Sequence, residues 1–248
     1  MTGPVTRRIF IGGAVALVAS RVAVGCRLLD RGGNGMTSTS SRSLVEFPPP
    51  AVSTVPVEAA LRRRRSVRSF SGEPLTDAEI GQLLWAAQGV TGESGGRTAP
   101  SAGALYPLEL HAVTPHATLH YLPDGHRAET TAERDLRTGL RDAALDETVG
   151  EAPLVIAVVS VPSRTAASFG DRAARYVDLE AGHAAQNVLI QAVALDLAAV
   201  PIGAFDDDAV TRVLALPAGH APRYLIPVGH PQTGSTAERR PGPSPPKL

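Results

Sequence analysis

The sequence predicts an α+β domain in which helices pack on a mixed sheet. Three observations carry this. The stretch LTDAEIGQLLWAAQG, residues 75–89, has the start signal, apolar period and stop signal of a helix. The run PLVIAVVSV, residues 153–161, is continuously apolar and rich in β-branched residues, so it reads as a strand buried on both faces. Around these two, helical and strand patterns interleave with hairpins, a mixture that argues for the α+β class.

The elements follow in order. VEAALRRRR, residues 57–65, reads as a short helix. In the next helix Thr76 and Glu79 form a capping box, and apolar residues recur at Ile80, Leu83, Leu84 and Ala87. Gly89 closes it. LELHAVTP and TLHYLP read as strands, with PDGH a turn after the second. DLRTGLRDAAL is an amphipathic helix. A long helix, rich in small residues, runs from about Asp171 to Leu197. A short strand around AVPIG, a helix DDDAVTRVLAL capped by Asp206 or Asp207, and a last strand YLIPVG complete the domain. There is no internal repeat.

Composition narrows the function. The 248 residues carry 24 Lys+Arg against 24 Asp+Glu, which leaves no global field to attract nucleic acid. A hydrophobic content of 43% excludes a disordered chain. Aromatics are scarce at 4%, so Ala, Val, Leu and Ile fill the core. The single cysteine excludes an internal disulfide. A domain of this size buries enough surface to manage without one.

Residues 1–26 read as an export signal. Arg7 and Arg8 precede an apolar run, Ile9–Ala19, that is too short to span a bilayer comfortably. TRRIFI resembles the twin-arginine motif, whose route exports folded proteins. The expected location is therefore outside the cytoplasm or tethered to the membrane. Cys26, in AVGC, resembles the lipidated cysteine of a lipobox, although Ala23 stands where Leu is usual and Arg21 interrupts the apolar run. A small free cysteine is the alternative. Residues 27–56 read as a flexible Gly/Ser/Pro linker, 57–238 as the folded domain and 239–248 as a disordered tail.

Three stretches are candidates for chemistry. RRRRSVRSFSG, residues 62–72, gathers five arginines. Arginines at a helix end complement the macrodipole, but that does not explain the continuation SVRSF. If this part is extended, Ser66 and Arg68 point to one side, and a hydroxyl with guanidinium groups suits a phosphate. TAPSAGALYP, residues 98–107, lacks large side chains and lets a backbone approach a ligand closely. Ser101 is a candidate cap for a short helix there; the plain alternative is a turn into the following strand. AVPIGAFDD, residues 199–207, is a close-approach segment or an ordinary strand-to-helix connection.

RRSVRSF, PSAGALYP, LEAGHAAQNVLIQA and VPIGAF, in this order, resemble the nitroreductase superfamily of FMN-dependent oxidoreductases. Within it they are most similar to the SagB-type branch, which includes the azoline dehydrogenases. The resemblance covers about Leu61 to His230. It implies a nitroreductase-like fold, an intertwined homodimer with FMN at each end of the interface, and a small-molecule substrate. It also implies that Arg64 and Ser66 hold the FMN phosphate with Arg65 alongside, and that Arg68 sits near N1 and O2 of the flavin. Pro100, Ser101, Ala102 and Gly103 would reach the flavin of the other subunit. Pro201, Ile202, Gly203 and Ala204 would lie along the ring, with a backbone N–H near Gly203 meeting N5.

The departures bear on function. The azoline dehydrogenases carry a Lys-Tyr pair before the long helix, and the matching residues are Ser168 and Phe169. Asp196 stands where the family often has Gly, and His230 stands where a cation is usual. His183, on a helix of mostly small apolar residues, reads as packed or capped, and Tyr106 either faces the flavin or anchors the start of the strand; neither is assigned as catalytic, so the acid or base is unassigned. There is no Cys/His cluster with metal-ligand spacing. The expected function is that of an exported FMN-dependent oxidoreductase passing hydride or electrons through flavin N5 to a small organic acceptor. The alternatives are an azoline dehydrogenase and a flavin-binding protein without turnover.

Overall fold

Strand β5 (Leu154–Ser160) crosses the middle of the structure, and all seven of its residues are buried. Leu154, Ile156 and Val158 enter one apolar cluster, while Val155, Ala157 and Val159 enter a second. Alternate side chains feed opposite faces, as the period of a strand requires. The continuous apolar run is thereby explained: each face of β5 has its own core.

The structure is a computed structural model and describes residues 43–232. Seven strands form one sheet in the order β1 (Leu44–Glu46), β4 (Arg127–Ala132), β3 (Thr118–Leu122), β2 (Leu108–Val113), β5, β7 (Ala221–Gly229) and β6 (Ala198–Ala199). Every pair of these strands is antiparallel. The mixed character expected of the sheet is confined to one parallel bridge, between Ser66 and Ala199.

Helices cover both faces. α2 (Asp77–Gln88) contributes Ile80, Leu83, Leu84 and Ala87 to the first cluster. α6 (Ala173–Ala194) adds Ala181, Ala184, Ala185, Val188 and Leu189 to it. α3 (Arg137–Ala144), α4 (Glu147–Glu151) and α7 (Asp207–Val213) build the second cluster through Leu140, Val149 and Val210. The capping box of α2 forms: Glu79 N–H donates to Thr76 Oγ1 at 3.3 Å and Thr76 N–H donates to Glu79 Oε2 at 2.8 Å. Gly89 closes that helix in an extended conformation. Asp206 caps α7, accepting from Ala209 N–H at 2.8 Å.

Several elements differ from expectation. The first helix, α1 (Val57–Arg63), stops before Arg64, whose φ of −52° and ψ of 124° turn the chain into an extended segment. The long helix is shorter than expected and follows a 3-10 turn, Gly170–Arg172. β4, α4 and α5 (Pro162–Phe169) carried no clear periodic signal. β4 is polar, with only Ala128 fully buried, and is defined by pairing with β3 rather than by its own pattern.

The expected linker 27–56 needs correction at its C-terminal end. β1 pairs with β4, and Phe47 is 7% exposed, with its ring 5.5 Å from His126 and 6.4 Å from Tyr121. Ala51 exchanges two hydrogen bonds with the Gln82 side chain, at 2.8 and 3.3 Å. The domain therefore begins by Ser43, because one buried aromatic outweighs a proline-rich neighbourhood. The twin-arginine-like stretch, Cys26, residues 27–42 and the tail 239–248 lie outside the described residues. Among the described residues, no helix is long and apolar enough to cross a membrane.

Candidate functional site

Beyond α1 the chain runs along the edge of the sheet. Ser66 bridges Ala199 in parallel, and Val67 N–H donates to Ala199 O at 3.1 Å. Phe70 then bridges Pro231, and Ser71 N–H donates to His230 O at 2.9 Å. An extended chain alternates its side chains. Arg65 and Val67 line a cleft of about 300 Å³ shared with Asp196 and Leu189. Arg64, Ser66 and Arg68 belong to the opposite parity.

The arginines divide by what they touch. Arg63 is paired with Asp196 across the cleft at 2.5 Å. Arg65 folds back, donating to Arg62 O at 2.8 Å and Arg64 O at 2.7 Å. The side chains of Arg64, Ser66 and Arg68 are half-buried and have no hydrogen bond or ion pair among the described residues.

The Pro201–Ala204 segment starts two residues after Ala199. Ile202 exchanges two backbone hydrogen bonds with Leu225 of β7, at 2.8 and 2.9 Å, and is buried in the second cluster. Gly203 and Ala204 are exposed. The bridge at Ser66 thus brings the first and third motifs side by side. Unspent cationic and hydroxyl donors suit a phosphate, and exposed backbone with no bulky side chains suits a planar ring. The residues present fit FMN on both counts.

The Pro100–Gly103 loop lines neither this cleft nor any bridge to the other two motifs among the described residues. Ser101 does not cap the short 3-10 helix Ala102–Ala104; its Oγ instead accepts from Tyr106 N–H at 2.9 Å. Gly103 has φ 63°, a left-handed conformation, and an added Cβ there would lie 3.3 Å from the Phe169 ring. Ala104 and Tyr106 are left-handed too, at φ 53° and 46°. Such strain persists only where the surroundings over-determine it. Here Arg97 stacks 4.5 Å over the Tyr106 ring, and Arg164 donates to Tyr106 O at 3.1 Å.

Two groups beside this loop escaped the sequence reading. Glu180 of α6 is 2% exposed, and its Oε1 makes no hydrogen bond. Burial raises its carboxyl pKa, opposed by the nearby Ser101 and Gln88 side chains and by Arg97. Its place inside LEAGHAAQN was visible, but a glutamate on a helix reads as solvated. Glu109, amid the apolar strand LELHAV, accepts from Arg164 and lies 2.6 Å from His120 Nε2. Burial would raise the Glu109 pKa, but the hydrogen bonds from His120 and Arg164 and the Arg164 charge outweigh it and hold it at about 2. A charge inside a strand pattern was the available signal.

The remaining candidates are peripheral. His183 is exposed on α6. His230 faces Glu79, 3.7 Å away, not the arginines. Ser168 is exposed at the end of α5, and Phe169 packs edge-on against Tyr176 with ring centroids 4.9 Å apart. Neither supplies a base. No group of His, Cys, Asp or Glu among the described residues is arranged to hold a metal ion.

Residues 61–230 match the Nitroreductase family. A Methanocaldococcus jannaschii protein bearing the nitroreductase name is 36% identical over 192 residues, covering 75% of this chain and 96% of that one. Among solved structures, a Ralstonia eutropha protein described as a nitroreductase is 27% identical with a TM-score of 0.71, over 79% of this chain and 92% of that one. A chain of the E. coli microcin synthetase complex, solved with a truncated precursor bound, shares the fold at 22% identity and a TM-score of 0.61, over 76% of this chain and 78% of that one. Fold and matches together define an α+β oxidoreductase. The chain belongs to the Nitroreductase family, whose members generally bind FMN and are typically homodimers acting on small molecules.

Proposed function

We propose that this protein is an exported, homodimeric FMN-dependent oxidoreductase that passes electrons to a small organic acceptor. One observation carries the cofactor assignment. The parallel bridge at Ser66–Ala199 lays the segment that carries the unpartnered Arg64, Ser66 and Arg68 side chains along the segment that leads into the exposed Gly203 and Ala204. Bound FMN would supply reversible two-electron chemistry at its ring. Arg64 and Ser66 would hold the phosphate, whereas Arg65, turned to the other side of the strand and bonded to the Arg62 and Arg64 carbonyls, would not touch it. Arg68 would place a fixed cation near the pyrimidine side of the ring, favouring the reduced, anionic form. The Pro100–Gly103 loop, held rigid through Tyr106, would close over the ring of the partner subunit and exclude water. The export part rests on the N-terminal TRRIFI stretch and the apolar run after it.

The azoline dehydrogenase reading is the weaker one, since an exposed Ser168 and a packed Phe169 offer no proton acceptor. The deciding experiment is the absorption spectrum of purified protein beginning at Ser43, with the mass of any ligand released from it. FMN is the expected ligand. A colourless protein that takes up no added FMN would falsify the assignment. Bleaching by a reductant followed by reoxidation with a quinone or nitroarene separates an enzyme from a mere binder.

A further inference from the structure

We propose that the pocket between the Leu105–Glu109 segment and α5 binds a small organic anion with an apolar body, a carboxylate of the benzoate type. The pocket encloses about 440 Å³ and shares no lining residue with the cleft beside Arg65. The two cavities are separate, although Tyr106, Arg97 and Arg164 of this one also hold the Pro100–Gly103 loop.

Two guanidinium groups, Arg97 and Arg164, line this pocket. Each has five N–H donors. Arg164 uses one nitrogen on Tyr106 O and another on Glu109. Arg97 gives one bond to Gln88 Oε1 at 2.9 Å and stacks on the Tyr106 ring. Most of their donor capacity is unspent. Glu109 is the single carboxylate in the lining, and it is engaged by both His120 and Arg164. Within the lining, two guanidinium groups stand against the one carboxylate of Glu109, while the buried Glu180 beside Arg97 has its pKa raised by burial. A bidentate carboxylate on a guanidinium balances that excess and satisfies the free donors.

The rest of the wall selects the body of the ligand. Leu105, Leu122 and Pro123 add apolar surface to the lining. A concave site with an apolar wall and a few converging polar groups is the usual form of a small-molecule site. The stacked Arg97 and Tyr106 and the paired Glu109 and Arg164 hold these groups in place before any ligand arrives. Little ordering cost then remains on binding.

Calorimetric titration of the full-length protein with benzoate, benzyl alcohol and benzylamine tests this. Benzoate should bind saturably, and the alcohol and amine should not. Arg164→Gln should weaken benzoate by roughly 10-fold or more, the range for a lost hydrogen bond to a charged group. Glu109→Gln keeps the shape of the side chain and an amide oxygen that can still accept from Arg164, removes the competing negative charge and should tighten benzoate several-fold. This second variant decides the matter even if Arg164→Gln fails to fold. Absence of benzoate binding to the unaltered protein, or an unchanged or weaker affinity in Glu109→Gln, overturns the proposal. Loss of bound flavin in a folded Arg164→Gln protein would overturn the separation of the two sites.

Discussion

Ser66 and Ala199 form the single parallel bridge among the described residues, in a sheet whose seven strands otherwise pair antiparallel. The bridge closes a long loop of chain and aligns the arginine motif with the segment after β6. It also fixes the parity of the motif, so that Arg65 faces the cleft while Arg64 and Arg68 stay unspent. The first prediction follows from that parity.

Replacing Arg64 or Arg68 with Ala should each raise the dissociation constant for FMN by roughly 10- to 100-fold, the range for a lost hydrogen bond to a charged group. Arg62→Ala, at an exposed position in the same run, should leave it unchanged. Quenching of flavin fluorescence on titration reads both. Equal effects at all three positions would reduce the motif to a diffuse basic patch.

A chain beginning at Val57 should be much less stable than one beginning at Ser43. The shorter form loses β1 and the buried Phe47, whose ring packs against α2 at Gly81. Removing a buried Phe side chain costs about 3–5 kcal/mol. Thermal unfolding of the two forms, followed by circular dichroism, gives the comparison; coincident midpoints would return residues 43–56 to the status of a linker.

Thr76→Ala should lower stability by about 1 kcal/mol, since it removes one half of the capping box. For a domain of this size that is a fall of about 2–4 °C in melting temperature. Cofactor affinity should not follow.

Stability should fall on acidification in two successive windows. His111 is buried, which holds its pKa down at about 4 against 6.5 for the free group. The unfolded chain therefore binds the extra proton first, and stability declines as pH falls from about 6.5 to 4. Glu109, held at about 2 against 4.5, contributes stability that is complete above 4.5 and lost as pH falls toward 2. The second loss is on the order of 3 kcal/mol, at about 1.4 kcal/mol per unit. Urea melts across pH, repeated with His111→Leu and Glu109→Gln, should flatten the upper and the lower window respectively.

Gly103→Ala should cost about 1–2 kcal/mol, because a left-handed conformation penalises a Cβ and this one meets the Phe169 ring. Phe169→Ala in the same chain should recover only the steric part. A double-mutant cycle on unfolding free energy separates the two contributions.

Local signals were legible wherever one turn or one strand contained the whole cause. The capping box of α2 and the Asp206 cap of α7 sit three residues from their partners and formed as read. β5 announced its double burial by having no polar face. The arginine motif announced an anion site, but not which arginines were free. That depended on Asp196, which lies 133 residues from Arg63 and reads alone as a surface charge.

The sequence by itself determined the α+β class, the family and the three motifs, because these rest on period, capping and residue order. Only the tertiary structure decided which motifs meet, where the domain begins, and that Glu109 joins His120 and Arg164. The physical reason is the same in each case. A hydrogen bond or ion pair across 55 residues leaves no trace in either local segment, and a single buried ring such as Phe47 has no period to betray it.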